Sequence, residues 1–302
     1  MTRGTNIRAA VLIASIGLLL ALPGTSSAAT SVSLDLGKGG AHRALLEKVR
    51  VNGFVLNPNP GEQVDVKVSA SGRELFKRTI TPKTNGTFEV PFAVKACCRY
   101  LIETKTTGGQ SAAVNFGVRV PKKLRRGRLA RLFNRSLQAQ GFHTGTNGRR
   151  VNRGTHLAIK AFRKVNGMPR AERYSPKVFR ALLKGDGAFK PQYNDGRHVE
   201  VDLSRQVMAL VEGDVPTHTF HISSGTGGTP TIRGNFRFYR KDAGYNSKRM
   251  YFSVYFHGGY ATHGYNPVPN RPASHGCVRN PTPFSRFIYN WVEIGMPIHV
   301  YG

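Results

Sequence analysis

The chain has 302 residues, enough for two or three domains, and sets 45 lysines and arginines against 16 aspartates and glutamates, a formal charge of +29. Attraction at that charge concentrates polyanions at the surface, so nucleic acid, anionic wall polymer and a membrane surface are the partner classes to separate. There are three cysteines; in an exported protein an odd count leaves at least one free thiol or an intermolecular bridge.

The N-terminus sorts these classes. Arg3 and Arg8 precede an apolar run from Ala9 to Leu22, Pro23-Gly24 break it, and Ser26-Ser27-Ala28-Ala29 offer small residues for cleavage. The pattern predicts a secretory signal peptide over 1–29, with an uncleaved anchor as the alternative. No other stretch is long and apolar enough to span a bilayer. Export argues against a nucleic-acid partner, leaves no membrane span after cleavage, and points to a secreted protein of the cell wall or periplasm-equivalent space.

Residues 30–120 read as strands. Val49–Leu56 is rich in β-formers, Val64–Val68 and Ala113–Val118 alternate apolar and polar, and Phe88–Phe92 and Tyr100–Thr104 lie between them. Asn57-Pro58-Asn59-Pro60-Gly61, Ser71-Gly72, Asn85-Gly86 and Gly108-Gly109 mark turns. Short alternating strands at this spacing predict an all-β sandwich, similar in pattern to immunoglobulin-like spacer domains and without a catalytic constellation. Cys97 and Cys98 are adjacent. On a strand they point to opposite faces; a bridge between them, or from either to Cys277, is the alternative.

Pro121–Arg128 is a basic run, read as a solvated linker or as a contact for anionic polymer. The period then becomes helical. Leu129, Leu132, Phe133 and Leu137 form one stripe; Ala158, Ile159, Phe162 and Val165 form a second behind Thr155 as N-cap; Ser175-Pro176 opens a third helix with Val178, Phe179, Leu182 and Leu183. This predicts a three-helix bundle within 121–190. It resembles the small peptidoglycan-binding module of wall enzymes through Leu137-Gln138, Gly141-Phe142, Asn147-Gly148, Thr155 and Ala158-Ile159-x-x-Phe162. It departs from that pattern at Asn147, where aspartate is usual, and at Arg163, where glutamine is. A spacer bundle with a basic surface is the other reading.

Residues 191–302 return to strands at His198–Leu203, Gln206–Val211, Thr217–Ile222, Phe236–Tyr239, Met250–Phe256 and Met296–Tyr301, with one helix at Pro283–Trp291. The fold class is therefore multidomain and mainly β: an N-terminal sandwich, a small α bundle and a C-terminal β-rich domain with a mixed or barrel-like sheet.

The chemistry concentrates in Thr262-His263-Gly264 and Ala273-Ser274-His275-Gly276-Cys277-Val278-Arg279. A thiolate is the reactive form of cysteine, and an adjacent imidazole or cation lowers the thiol pKa. Glycine before the cysteine frees the backbone, and an N–H at such a turn can face an oxyanion. Cys277 is the candidate nucleophile and His263 the candidate base of an acyl transfer. His257-Gly258 offers a rival base, and His257, His263, His275 and Cys277 are all zinc-ligand types, although their spacing matches no compact zinc pattern.

These segments, with Ser224-Gly225 and Thr229–Phe236, resemble the L,D-transpeptidase (YkuD-type) catalytic family over about a third of the chain. Gly258-Gly259-Tyr260-Ala261-Thr262-His263-Gly264 followed by Pro272-Ala273-Ser274 is similar to its short-loop members and favours His263 over His257. The resemblance implies that the backbone carbonyl of Gly264 orients His263 and that no cofactor or metal takes part. It implies attack by Cys277 on peptidoglycan stem peptides, with loss of D-Ala and formation of a cross-link, and inactivation by carbapenems. The N–H groups of Gly276 and Cys277 are the oxyanion candidates. Arg279 either forks onto a substrate carboxylate or forms an internal salt bridge; His275, Ser274 and Tyr260 are further substrate-contact candidates. Water as acceptor gives an L,D-carboxypeptidase, and a decayed site gives a non-catalytic protein binding wall glycan and anionic wall polymers.

Overall fold

A computed structural model describes residues 31–37, 41–146, 148–185 and 187–302. The expected signal peptide, Asn147 and Asp186 lie outside the described residues.

The first unit contains β1 (Ser31–Asp35), β2 (His42–Ala44), β3 (Lys48–Leu56), β4 (Val64–Ala70), β5 (Arg73–Ile80), β6 (Thr87–Ala93), β7 (Arg99–Thr106) and β8 (Ser111–Arg119). They form two sheets, ordered β1-β3-β6 and β2-β8-β7-β4-β5. Side chains alternate across a strand, so in β3 Val49, Val51 and Val55 turn inward while Lys48, Arg50 and Asn52 stay exposed. They join Val66, Val90, Ile102 and the stacked Tyr100–Phe116 pair, 4.9 Å between centroids, in one apolar cluster. The Tyr100 hydroxyl accepts the N–H groups of Lys95 and Ala96 at 3.0 Å, so the buried phenol keeps a polar partner. Cys97 and Cys98 do not lie on a strand. They sit in the loop before β7, bonded to each other, and Cys277 is the free cysteine.

Helices α1 (Arg128–Ala139), α2 (Arg153–Val165) and α3 (Pro176–Lys184) follow. Ser175 caps α3 ahead of Pro176, as expected. The cap of α2 is Asn152, not Thr155: the Asn152 side chain accepts from Thr155 N–H at 2.9 Å, and the Thr155 hydroxyl accepts from Asn152 N–H at 3.3 Å. A box of this kind satisfies two otherwise orphaned donors. The expected free-standing three-helix bundle is not what forms. Phe133, Leu137, Phe162 and Phe179 belong to the same apolar cluster as the β-sandwich, and Leu157 of α2 belongs to the C-terminal core. The helices are a layer wedged between two β units: α2 puts Phe162 into one apolar cluster and Leu157 into the other.

The C-terminal unit holds β9 (Arg197–Asp202), β10 (Val207–Glu212), β11 (Val215–His221), β12 (Gly234–Arg237), β13 (Arg240–Tyr245), β14 (Tyr251–His257), β15 (Tyr260–Tyr265), β16 (Val278–Pro281), α4 (Thr282–Trp291) and β17 (Pro297–Tyr301). One sheet runs β11-β10-β9-β17-β12 and the other β13-β14-β15-β16, with the β9–β17 and β15–β16 pairs parallel. Val199, Val201, Phe220, Val254, Val278, Ile288 and Ile298 fill the space between sheets and helix.

The loop after α1 adds to this unit. Gly141 O accepts from Thr219 N–H at 2.5 Å, and His143 enters an aromatic nest with Phe287 at 4.4 Å, Phe284 at 4.8 Å and His218 at 5.1 Å. Burial pushes His143 and His218 down to about 4, with His218 also opposing charge on His143. An unfolded histidine titrates near 6.5. Over the window from 6.5 to 4 the unfolded chain therefore binds more protons than the folded one, and stability falls as pH falls. His143→Phe should flatten that fall. Between pH 7 and 4.5 its melting temperature, followed by scanning fluorimetry, should drop by a few degrees less than that of the wild type. Parallel curves would remove His143 from the acid-sensitive set.

Candidate active site

The site is built on the β15–β16 pair. Thr262 aligns with Val278 and His263 with Arg279. Side chains on a strand alternate, so Thr262 and Val278, both fully buried, face the core, while His263, Arg279 and, by the same alternation, Cys277 share the opposite face. That face lines a cavity of about 240 Å³ with Lys248, Arg249, Met250, Gly259, Tyr265, Ser274 and His275. No aspartate or glutamate lines it.

His263 is 5% exposed, and its Nδ1 lies 3.0 Å from Gly264 O. A carbonyl can only accept, so Nδ1 carries the proton and Nε2 is left as the basic nitrogen. A side chain on Gly264 would meet Ser285 Oγ of α4 at 2.3 Å, so helix packing requires glycine beside the histidine. Burial pushes His263 down to about 4, opposed by the Gly264 hydrogen bond and reinforced by Arg279.

Cys277 is half-buried, and its thiol donates towards Gly259 O at 3.6 Å. Burial raises its pKa above the ordinary thiol value, against the smaller lowering effects of the Ala261 backbone, Arg279 and Lys248. The expectation of a thiol drawn towards neutrality is therefore overturned: desolvation outweighs the neighbouring cations. Burial therefore opposes charge on both groups.

Gly276 has φ 112°, and a Cβ there would meet Tyr260 Cε1 at 2.7 Å. Both the left-handed backbone and the ring beneath it exclude a larger residue. Tyr260 is thus the ring on which the loop rests, not a wall of the cavity. The Gly276 N–H donates to Ser274 Oγ at 3.1 Å, and Ser274 Oγ donates to Cys277 O at 2.5 Å. This corrects two expectations. The Gly276 N–H is engaged and not free for an oxyanion, which leaves the Cys277 N–H of that pair; the Ser274 hydroxyl is 1% exposed with internal partners and holds the loop. Thr231 Oγ1 donates to Gly276 O at 2.7 Å and Thr229 Oγ1 to Ser274 O at 3.1 Å, so the 229–231 segment buttresses the same turn.

Arg279 has no ion pair among the described residues, which removes the salt-bridge reading. Its guanidinium lies 4.0 Å over the Tyr265 ring, and Nη1 donates to Ala273 O at 2.8 Å. His275 is exposed at the cavity wall. His257 is exposed at the end of β14 against Phe236, 5.3 Å between centroids, and does not line the cavity. Among the described residues no group of three or more His, Cys, Asp or Glu is placed to hold a metal. Lys248, Arg249 and Tyr265 were missed in the sequence; Asn246–Met250 carries only a polar-turn signal.

Residues 196–300 match the family model of the YkuD L,D-transpeptidase catalytic domain. Residues 196–300 are thus similar to L,D-transpeptidase catalytic domains in sequence pattern and in fold. Among solved structures, the L,D-transpeptidase from Xylanimonas cellulosilytica DSM 15894 is 29% identical, with 60% of this chain and 97% of that one covered and a TM-score of 0.55. The enzyme from Stackebrandtia nassauensis is 21% identical over 61% and 98%, with a TM-score of 0.37. The Enterococcus faecium catalytic domain acylated by ertapenem is 24% identical over 36% and 99%, with a TM-score of 0.31. No curated protein sequence matches the chain.

A neutral thiol beside a neutral imidazole reacts differently from a preformed thiolate–imidazolium pair, which stays reactive in mild acid. Alkylation of Cys277 by iodoacetamide, followed by intact mass, should rise with pH through a midpoint above that of an ordinary cysteine thiol. A plateau already reached at pH 6 would show a stable ion pair instead.

Proposed function

We propose that the chain is an exported peptidoglycan L,D-transpeptidase with Cys277 as nucleophile and His263 as base. The observation that carries this is the parallel register that sets free Cys277, buried His263 and Arg279 on one face of a cation-lined cavity. In the first half-reaction His263 Nε2 takes the thiol proton as sulfur attacks the carbonyl of the third stem residue. A thiol above its ordinary pKa makes this concerted transfer the accessible route. The tetrahedral oxyanion receives the Cys277 N–H. His263 then gives the proton to the amine of the departing D-Ala, leaving a thioester. In the second half-reaction the side-chain amine of another stem attacks the thioester, its proton passes to His263, and the thiol is restored. The balance needs no cofactor.

Lys248, Arg249 and Arg279 suit a substrate bearing carboxylates, and Arg279, whose guanidinium has no carboxylate partner among the described residues, is the candidate clamp, with His275 at the rim. Carbapenems would acylate Cys277 by the same attack, in line with the ertapenem adduct of the E. faecium domain. We assign 1–29 to a signal peptide, 30–120 to the sandwich, 121–190 to the helical layer and 191–302 to the catalytic domain. The protein would be secreted into the wall space. Among the described residues no helix is long and apolar enough to cross a membrane. From Pro121 to Gly154 the chain has no aspartate or glutamate, and Arg125 and Arg126 come beside Arg150, a surface suited to anionic wall polymers.

The deciding experiment is intact-protein mass after mixing the mature chain with disaccharide-tetrapeptide, alongside Cys277→Ser. The expected result is a transient adduct on the wild type alone, D-Ala release, and a cross-linked dimer. Release of tripeptide without dimer would make the protein a carboxypeptidase. Adduct or turnover retained in Cys277→Ser would remove Cys277 as nucleophile, and no adduct with reduced Cys277 would point to a non-catalytic wall-binding protein.

A further inference from the structure

Lys164 lies in the last turn of α2 and is 4% exposed. Its Nζ donates to Gln206 O at 3.0 Å and to Ile222 O at 2.8 Å. No carboxylate pairs with it among the described residues. A lone buried ammonium or amine is expensive to keep, and an apolar side chain would hold a helix against a sheet at lower cost. What it touches gives the reason for its presence.

Gln206 is 1% exposed, with φ 59° in the turn between β9 and β10. Both ends of its side chain grip Ser224: Nε2 donates to Ser224 Oγ at 2.7 Å, and Oε1 accepts from Ser224 N–H at 2.9 Å. Ser224 O in turn accepts from Ala273 N–H at 2.8 Å and from Ser274 N–H at 2.9 Å. Ser274 Oγ then fixes Cys277 O and Gly276 N–H. The second carbonyl held by Lys164 belongs to Ile222, whose neighbour Ser223 exchanges backbone hydrogen bonds with Arg279 at 2.9 and 3.0 Å. Two paths therefore leave Lys164, one ending at the nucleophile and one at the substrate-facing arginine.

We propose that Lys164 is a positioning residue: through Gln206 and Ser224 it fixes the loop that carries Cys277, so that docking of the helical layer completes the active site. The inference rests on the transpeptidase reading for its turnover assay, but not for its alkylation assay, which needs no substrate.

The test compares four variants of the full mature chain. Lys164→Met keeps the stem and removes the donors. Ser224→Ala removes the hydroxyl half of the Gln206 grip with little change in volume. The third is the double variant. Leu157→Ala loosens the same helix against the catalytic core without touching the network. Misplacing a reacting group by about an ångström can cost on the order of 100-fold in rate. The expected result for Lys164→Met is therefore a kcat lower by roughly 10-fold or more, a KM changed by less than about 2-fold, and a Cys277 alkylation rate altered at least about 3-fold. Leu157→Ala should match its loss in melting temperature yet keep kcat and alkylation near wild type. Residues in one hydrogen-bonded network are non-additive, so the double variant should be no worse than Lys164→Met alone. If Lys164→Met fails to fold, Ser224→Ala alone should reproduce the kcat loss. Equal kcat and alkylation in Lys164→Met and Leu157→Ala, additive effects in the double variant, or an unaffected Ser224→Ala would each reduce Lys164 to a structural contact. A wild type without turnover but with the alkylation pattern intact would overturn the transpeptidase reading and leave the network standing.

Discussion

The catalytic face depends on the parallel pairing of β15 with β16. A parallel pair needs a crossover of about a dozen residues, and here the crossover is 266–277, the loop that delivers Cys277. The connection required by topology and the segment required by chemistry are the same piece of chain. A slip of one residue in a paired strand turns every side chain over; it would send Cys277 and Arg279 into the core and bring Val278 out. The register is secured on both sides. Val278 and Thr262 are buried on the inner face, and Asn280 Nδ2 donates to Thr262 Oγ1 at 3.0 Å while its Oδ1 accepts from Ser285 Oγ of α4 at 2.7 Å.

Burial, the same property that fixes this geometry, sets the protonation states. The dry setting disfavours charge on His263 and on Cys277 alike, so burial works against a preformed thiolate–imidazolium pair. Negative charge then appears only as the reaction proceeds, in a cavity already lined by Lys248, Arg249 and Arg279. Preorganised donors and cations in a water-poor site stabilise a developing charge more than they do in water. The surplus of basic residues that marks the whole chain is thus used locally as well as at the surface.

Much of this was legible in the sequence. The alternating strands of the sandwich, β9, β10, β11, β14 and β17, the three helices and the Ser175-Pro176 cap all follow from periodicity and local chemistry. So did the choice of Cys277 and His263 as residues that meet at one cavity. The strand that carries His263 and the strand that follows Cys277 were not legible. Tyr260–Tyr265 and Val278–Pro281 contain glycine, proline and polar residues and are too short to show a period, and they exist because tertiary pairing overrides weak propensity. The edge strand β5 was missed for a related reason: nearly every residue of Arg73–Ile80 is exposed, so no apolar face appears. The engaged state of Gly276 N–H was hidden too, since it depends on where the Ser274 hydroxyl points.

The separate bundle failed as an expectation for a reason that bears on function. The apolar stripes of α1, α2 and α3 predict helices that bury one face, but they do not say against what. Phe133, Phe162 and Phe179 share a core with the sandwich, Leu157 reaches the catalytic core, and Gly141–His143 pairs with β11. A module joined only by a linker could move freely without disturbing the chemistry. A layer that shares cores with both neighbours cannot shift without exposing apolar surface on each side and drawing the Lys164 amine away from the carbonyls it holds. The position of the helices and the shape of the nucleophile loop are therefore parts of one packing solution.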